Sequence, residues 1–167
     1  MLRSGQVQVL SSELRELLGP PGEAMDAVEA RAKALYPEAT PIVWECDACS
    51  FQFGYVSGSA VEVLGYPSER WHEPMFWADH VVHPDDRDDA VTYCALATGK
   101  GRDHMFEYRA RTADGRLVWL RDFVMVIRSA DSVSLRLRGA MFDVTAEKLA
   151  EASPAPVQVP SRDELAA

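Results

Sequence analysis

The sequence predicts an α+β fold built on an antiparallel sheet. Three apolar runs between Asp103 and Thr145, punctuated by Gly115 and Gly139, read as consecutive strands. Two shorter runs between Ile42 and Val56 read as a hairpin, and helical periodicity fills the stretches before and between these groups. With 167 residues and an apolar fraction of 47%, one domain with flanking segments has enough material for a packed core. The expected division is 1–20 as an N-terminal helix or tail, 21–40 as a flanking amphipathic helix, 41–148 as the folded core and 149–167 as a linker or disordered tail.

Leu10 to Leu18 carries Leu10, Leu14, Leu17 and Leu18 on one side of a short helix capped by Ser11 or Ser12, and Gly19-Pro-Pro-Gly22 stops it. A second helix over Glu23 to Leu35 has its acids early and its bases late, which suits the helix dipole. Its stripe of Met25, Val28, Ala32 and Leu35 is buried either against the sheet or against a second subunit, since periodicity does not say which. Ile42 to Cys46 and Phe51 to Val56 flank a turn at Asp47 to Ser50. Ser59 with Glu62 fits a capping box, and Gly65 supplies the left-handed stop. Two helical turns, Ser68 to Glu73 and Met75 to Val81, are separated by Pro74. Asp85 or Asp86 caps the main helix over Arg87 to Thr98, with Val91, Cys94, Ala95 and Thr98 facing inward.

His104 to Arg111 alternates, with Phe106, Tyr108 and Ala110 on one face and Glu107, Arg109 and Arg111 on the other. Leu117 to Ile127 is apolar on both faces, the mark of a central strand covered on each side. After a turn at Ser129 to Ser132, Val133 to Phe142 closes the set, and Asp143 to Lys148 begins a helix capped by Asp143 or Thr145. Beyond it the Ala-, Pro- and Ser-rich stretch favours extended chain.

A net charge of −9 argues against a nucleic-acid or anionic-membrane surface. No apolar run reaches about 18 residues and no signal segment opens the chain, so a cytoplasmic protein is expected. Three cysteines do not suggest a disulfide framework. Cys46-Asp-Ala-Cys49 and His80-Val-Val-His83 raise a zinc site, but a strand end with its turn and a helix entry account for them better. No phosphate-binding glycine loop, nucleophile elbow, kinase or cyclase signature is present, which argues against an enzyme.

Several segments together carry a family resemblance. Val56-Ser-Gly-Ser-Ala-Val-Glu-Val-Leu-Gly-Tyr-Pro67, His80-Val-Val-His-Pro-Asp-Asp-Arg87, Phe106-Glu-Tyr-Arg109, Asp114-Gly115, Trp119 and Asp143-Val-Thr145 resemble, in that order, the motifs of PAS domains of the subgroup ending in an Asp-Ile-Thr type motif. The similarity runs from about Pro41 to Lys148. It implies the PAS fold, a five-stranded antiparallel sheet in order 2-1-5-4-3 with short helices on one face. It also implies a sensory module that binds a small organic ligand in its core and signals through flanking helices to a histidine kinase, cyclic-dinucleotide enzyme or transcription regulator, in cis or in trans. A homodimer through the N-terminal helices is the expected assembly, and a ligand-free interaction domain is the alternative.

The pocket so implied draws on Phe53, Tyr55, Trp77, Val91, Cys94, Phe106, Tyr108, Trp119, Arg121 and Met125, with Asp143 and Thr145 as the signal exit. Arg121, on a face with Trp119, Phe123 and Met125, needs an anionic partner if buried: Asp143, or a ligand carboxylate. Haem ligation would fall to His83 or His104, which flank the main helix. The light-sensing cysteine motif is lacking, so Cys94 reads as a small buried residue, while non-covalent flavin on the tryptophans stays open. At the exit, a helix cap is worth about 0.5–2 kcal/mol, enough to bias a balanced linker but short of the roughly 5.5 kcal/mol of a near-complete switch.

Overall fold

A computed structural model describes residues 11–128 and 135–152. Strands β1 (Ile42–Asp47), β2 (Phe53–Val56), β3 (His104–Arg111), β4 (Leu117–Arg128) and β5 (Leu135–Asp143) form one antiparallel sheet in the order β2-β1-β5-β4-β3. Its five strands and their order match the expectation. β4 lies between β5 and β3 and is buried along most of its length on both faces, as a strand apolar on both sides requires. β3 alternates with His104, Phe106, Tyr108 and Ala110 buried. The Ser129 to Ser132 turn and Val133 lie outside the described residues.

The helices are α1 (Ser11–Leu18), α2 (Met25–Leu35), α3 (Ser59–Leu64), α4 (Arg87–Gly99) and α5 (Thr145–Ala152), with a 3₁₀ turn at Ser68–His72 and a single π turn at Trp77–Val81. α3, α4 and the two turns cover the inner face of the sheet, over Trp44, Phe53, Tyr108, Leu120 and Val124. Gly65 ends α3 at φ +83°, a conformation that a Cβ would strain. The Ser59–Glu62 capping box does not form. Instead the Ser59 hydroxyl donates to the Pro41 carbonyl at 2.8 Å, and the Ser57 hydroxyl accepts the Val43 N–H at 3.0 Å. These buried hydroxyls serve the strand entry, where an unpaired backbone group costs more than at an exposed helix start.

α4 also departs from expectation. Its buried stripe is Ala90, Cys94 and Thr98, with Val91 half-buried and Ala95 exposed, so the contact face is one turn-row narrower than the composition suggests. Asp86 makes no side-chain cap. Its carboxylate accepts the backbone N–H of Arg109 at 2.8 Å and both Nε and Nη2 of that guanidinium, pinning the start of α4 to β3. That bidentate pair holds the Asp86 carboxyl below its ordinary range.

α1 and α2 lie on the outer face, α1 across β4 and β5 and α2 along β1. Leu14, Leu17, Leu18, Val28 and Ala32 join Val43, Phe123, Met125, Ile127 and Phe142 in a second core. Of the two readings of these helices, the one in which they cover the sheet describes what is seen. Leu35, at the far end of the stripe, is 47% exposed. Leu10 lies outside the described residues. α2 starts at Met25, two residues later than its acids suggest, because Glu23 turns back to pair with Arg31. α5 runs to Ala152, so its helix-favouring Leu149, Ala150, Glu151 and Ala152 extend past the expected start of the linker.

The connection between α1 and α2 is held by Arg138 of β5, which is 1% exposed. Its guanidinium donates to the carbonyls of Leu18, Pro20, Pro21 and Glu23 and to the Glu45 carboxylate, at 2.9–3.2 Å. A planar fork of five donors suits a prolyl turn that offers carbonyls and few N–H groups.

Candidate functional site

Under α4 and the π turn, the inner face closes over a chamber lined by Trp44, Cys46, Phe51, Phe53, Trp77, Cys94, Phe106, Asp122, Val124 and Leu137. The free space is about 10 Å³, at the margin of a single water. Asp122 is the polar centre, 1% exposed in the middle of β4. One carboxyl oxygen accepts the Trp44 indole N–H at 3.0 Å and the other accepts the Tyr108 hydroxyl at 3.1 Å, while the Trp77 indole N–H donates to Tyr108 at 2.9 Å. Burial pushes the Asp122 pKa from 3.8 to about 8, against the lowering effect of the two hydrogen bonds, so the carboxyl is mostly protonated at neutral pH. Burial likewise raises Tyr108 well above its ordinary value, raises Cys46, and pushes Cys94 to about 12. None of these groups is a nucleophile at neutral pH.

Four of the residues expected in the pocket, Phe53, Trp77, Cys94 and Phe106, line this chamber, and Tyr108 joins it through Asp122. Val91 packs half-buried at the edge of the inner core. Tyr55, Trp119, Arg121 and Met125 sit on the opposite face of the sheet. The reason is register. The β3–β4 hairpin sets Arg111 opposite Leu117, so Phe106 faces Asp122 and Tyr108 faces Leu120, and the even-numbered residues of both strands share the inner face. Trp119, Arg121 and Met125 are the odd-numbered set and point outward. In β2 an irregularity between Glu45 and Cys46 of β1 brings Phe53 opposite Cys46 and Tyr55 opposite Glu45, which breaks the usual alternation and turns Tyr55 outward. There its hydroxyl donates to Glu29 of α2 at 2.8 Å.

Arg121 therefore faces protein carboxylates on the outer side of the sheet. It pairs with Glu107, its neighbour across the β3–β4 ladder, at 3.2 Å and with Glu147 of α5 at 3.1 Å; neither is the expected Asp143. Sequence reading missed Asp122. A signal existed: it is the one acid between Leu120 and Ile127, on the face of β4 that also carries Leu120 and Val124.

At the exit, the Asp143 carboxylate accepts the Thr145 N–H at 2.9 Å and its hydroxyl at 2.5 Å. The Thr145 hydroxyl oxygen accepts the Trp119 N–H at 2.9 Å, and the Val144 N–H donates to the Trp119 carbonyl at 2.9 Å. The start of α5 is thus stitched to β4 two residues from Arg121 and three from Asp122. The metal and cofactor readings meet specific geometry. Cys46 is in the core and Cys49 is exposed on the hairpin turn, so the two thiols do not face one site. Both ring nitrogens of His104 are engaged, Nδ1 with the Arg102 carbonyl at 2.9 Å and Nε2 with the Cys94 Sγ at 3.4 Å. A chamber filled by Phe51, Trp77 and Phe106 does not fit a porphyrin or an isoalloxazine without repacking those rings. Among the described residues, no helix is long and apolar enough to cross a membrane.

Residues 53–141 match the family model described as PAS fold. Among solved structures, the chain resembles the N-terminal domain of a diguanylate cyclase with PAS/PAC sensor from Marinobacter aquaeolei, at 33% identity and TM-score 0.59 over 65% of this chain and 98% of that one. It also superposes on a sensory box histidine kinase/response regulator from Burkholderia thailandensis, with 21% identity, TM-score 0.59 and coverage of 73% of this chain and 90% of the other. A domain of a putative light and redox sensing histidine kinase from Haloarcula marismortui gives 21% identity and TM-score 0.53 over 70% of this chain and 100% of that one. No curated protein matches the chain.

Proposed function

The chain belongs to the PAS fold family, and from that premise we propose that it is a sensory module which receives a small organic ligand on the inner face of its sheet at Asp122 and passes the change to an effector through α5. The observation that carries this reading is the position of three consecutive functions on β4. Asp122 faces the chamber, Arg121 grips Glu147 of α5 from the other side, and Trp119 holds the exit turn by its N–H to the Thr145 hydroxyl and its carbonyl to the Val144 N–H. A ligand moves the output only by binding one arrangement better than another, and a shift of β4 changes all three contacts together. The effector, in cis or in trans, supplies the catalysis, and the likeness to parts of a diguanylate cyclase and of histidine kinases favours a cyclic-dinucleotide enzyme or a kinase over a transcription regulator. The setting is cytoplasmic. The assembly is a homodimer that uses the outward faces of α1 and α2, because their inward stripes are occupied by the sheet.

A second reading, a ligand-free interaction domain, is favoured by one observation: the chamber holds about 10 Å³ of free space. Native mass spectrometry of gently purified protein, with its absorption spectrum, separates the two. Colourless bound mass supports the ligand sensor, and bare mass with a dimer that survives a metabolite screen unchanged supports the interaction domain. A ligand that binds without altering amide exchange across Thr145–Ala152 overturns the β4 coupling.

A further inference from the structure

The chamber joins one acid to a set of aromatic rings. Trp44, Phe53, Trp77 and Phe106 are buried around Asp122, Phe51 lies half-buried against Trp77 at a ring separation of 6.3 Å, and no Lys, Arg or His is among the lining residues. Ring faces carry negative charge and attract cations, and a carboxylate does the same more strongly. An anionic ligand meets the ring charge and, wherever Asp122 is ionised, the carboxylate as well. A purely apolar ligand gains nothing from Asp122, whose carboxyl then keeps only Trp44 and Tyr108 as partners. Resting on the reading that the chamber receives a ligand, we infer that it selects a small organic ammonium ion, held by the aromatic faces and by the ionised Asp122 carboxylate.

The two walls that must move belong to strained backbone. Phe51 has φ +54°, Met75 just before Trp77 has φ +59°, and Trp77 itself opens the single π turn. Such conformations cluster at sites that rearrange. Phe51 and Trp77 lie in the β1–β2 turn and the π turn, outside the strands of the sheet, so they are the walls an entering ligand would displace, at the cost of the Trp77–Tyr108 hydrogen bond.

Charge balance fixes a second property. In the empty chamber Asp122 is protonated; when the ammonium ion enters, the Asp122 O–H bond breaks heterolytically, its proton leaves to solvent and the carboxylate remains. One positive charge enters and one leaves. The titratable groups facing Asp122 are Tyr108 of β3, Cys46 of β1 and Cys94 of α4, all raised by burial, with His104 of β3 beyond Cys94 lowered from 6.5. Between pH 6.5 and about 8 the linked proton therefore belongs to Asp122.

Calorimetric titration of the full chain with tetramethylammonium chloride, with tert-butanol as the neutral near-isostere and sodium chloride as the salt control, tests this. The expected result is saturable tetramethylammonium binding at least about tenfold tighter than tert-butanol, with release of close to one proton in buffers of different ionisation heat. Affinity rises about tenfold per pH unit up to about pH 8 and is flat above it. Asp122→Asn, which keeps an acceptor for Trp44, loses both the preference and the pH slope. Phe106→Leu weakens binding and keeps the slope, so it serves if Asp122→Asn does not fold. Tetramethylammonium binding with no pH slope overturns the inference. Binding of tert-butanol alone overturns it too and leaves the ligand-sensor reading standing. Binding of neither also overturns it, and the ligand-sensor reading is then decided by native mass spectrometry.

Discussion

The two faces of the sheet handle buried charge in opposite ways. On the inner face Asp122 is surrounded by neutral donors, Trp44 and Tyr108, and escapes the cost of burial by keeping its proton. On the outer face the buried guanidiniums of Arg121 of β4 and Arg138 of β5 are each held by carboxylates or a ring of carbonyls. The difference teaches which face is adjustable. A carboxyl with a movable proton can exist in two charge states without rebuilding its surroundings, whereas a guanidinium fixed by this many partners changes state only if an element lets go. The inner face suits input, and the outer face suits a firm link to the helices.

The largest expected effect breaks the inner half of this contrast. Because the folded Asp122 pKa is raised, the native state binds more protons than the unfolded chain between the two values, and stability falls as pH rises from about 4 to about 8. The loss is on the order of 5 kcal/mol at about 1.4 kcal/mol per unit, and Asp122→Asn abolishes it. Urea unfolding of both proteins at pH 5 and pH 8.5 checks this; parallel pH profiles would refute it.

On the outer face, Arg138→Met removes the ties from β5 to the α1–α2 connection, leaves its carbonyls without this donor and leaves Glu45 with Arg136 alone. It is expected to cost about 3–5 kcal/mol. Urea denaturation measures the loss, and amide exchange should show α1 released first. Equal protection of α1 in both proteins would mean that Arg138 is not its anchor.

Arg121→Met sharpens the contrast, since Glu107 keeps Lys148 at 3.4 Å as a partner while Glu147 is left with less. A loss of about 2 kcal/mol is expected, with faster exchange confined to α5. Uniform acceleration across the sheet would place Arg121 in the global core instead. The smallest effect belongs to Thr145→Val, which deprives the Trp119 N–H of its acceptor and costs about 1 kcal/mol. Its signature is faster exchange of the Trp119 amide with the rest of β4 unchanged.

Much of the fold was legible. His104 to Arg111 and the long apolar run after Leu117 identify β3 and β4 from side-chain period alone, and Asp143-Val-Thr145 marks the turn from β5 into α5. The pocket was only half legible. β4 is apolar on both sides, so its period cannot say which face is inner; Arg121 is the conspicuous charge in the sequence, yet Asp122 beside it is the one turned inward. Ser59 reads as the cap of α3, yet its hydroxyl goes to the Pro41 carbonyl and that of Ser57 accepts the Val43 N–H, contacts between residues far apart in sequence.

By itself the sequence determined the elements, their order and the punctuation between them, because propensity, period and turn chemistry act over a few neighbouring residues. The tertiary structure decided which face of each strand is covered and how each buried charge is satisfied. Those outcomes depend on the hairpin register that pairs Phe106 with Asp122, on the irregularity that turns Tyr55 outward, and on α1 and α2 arriving over the outer face. Register and cover set the solvation of a side chain, and solvation decides whether Asp122 keeps its proton and whether Arg121 finds a carboxylate.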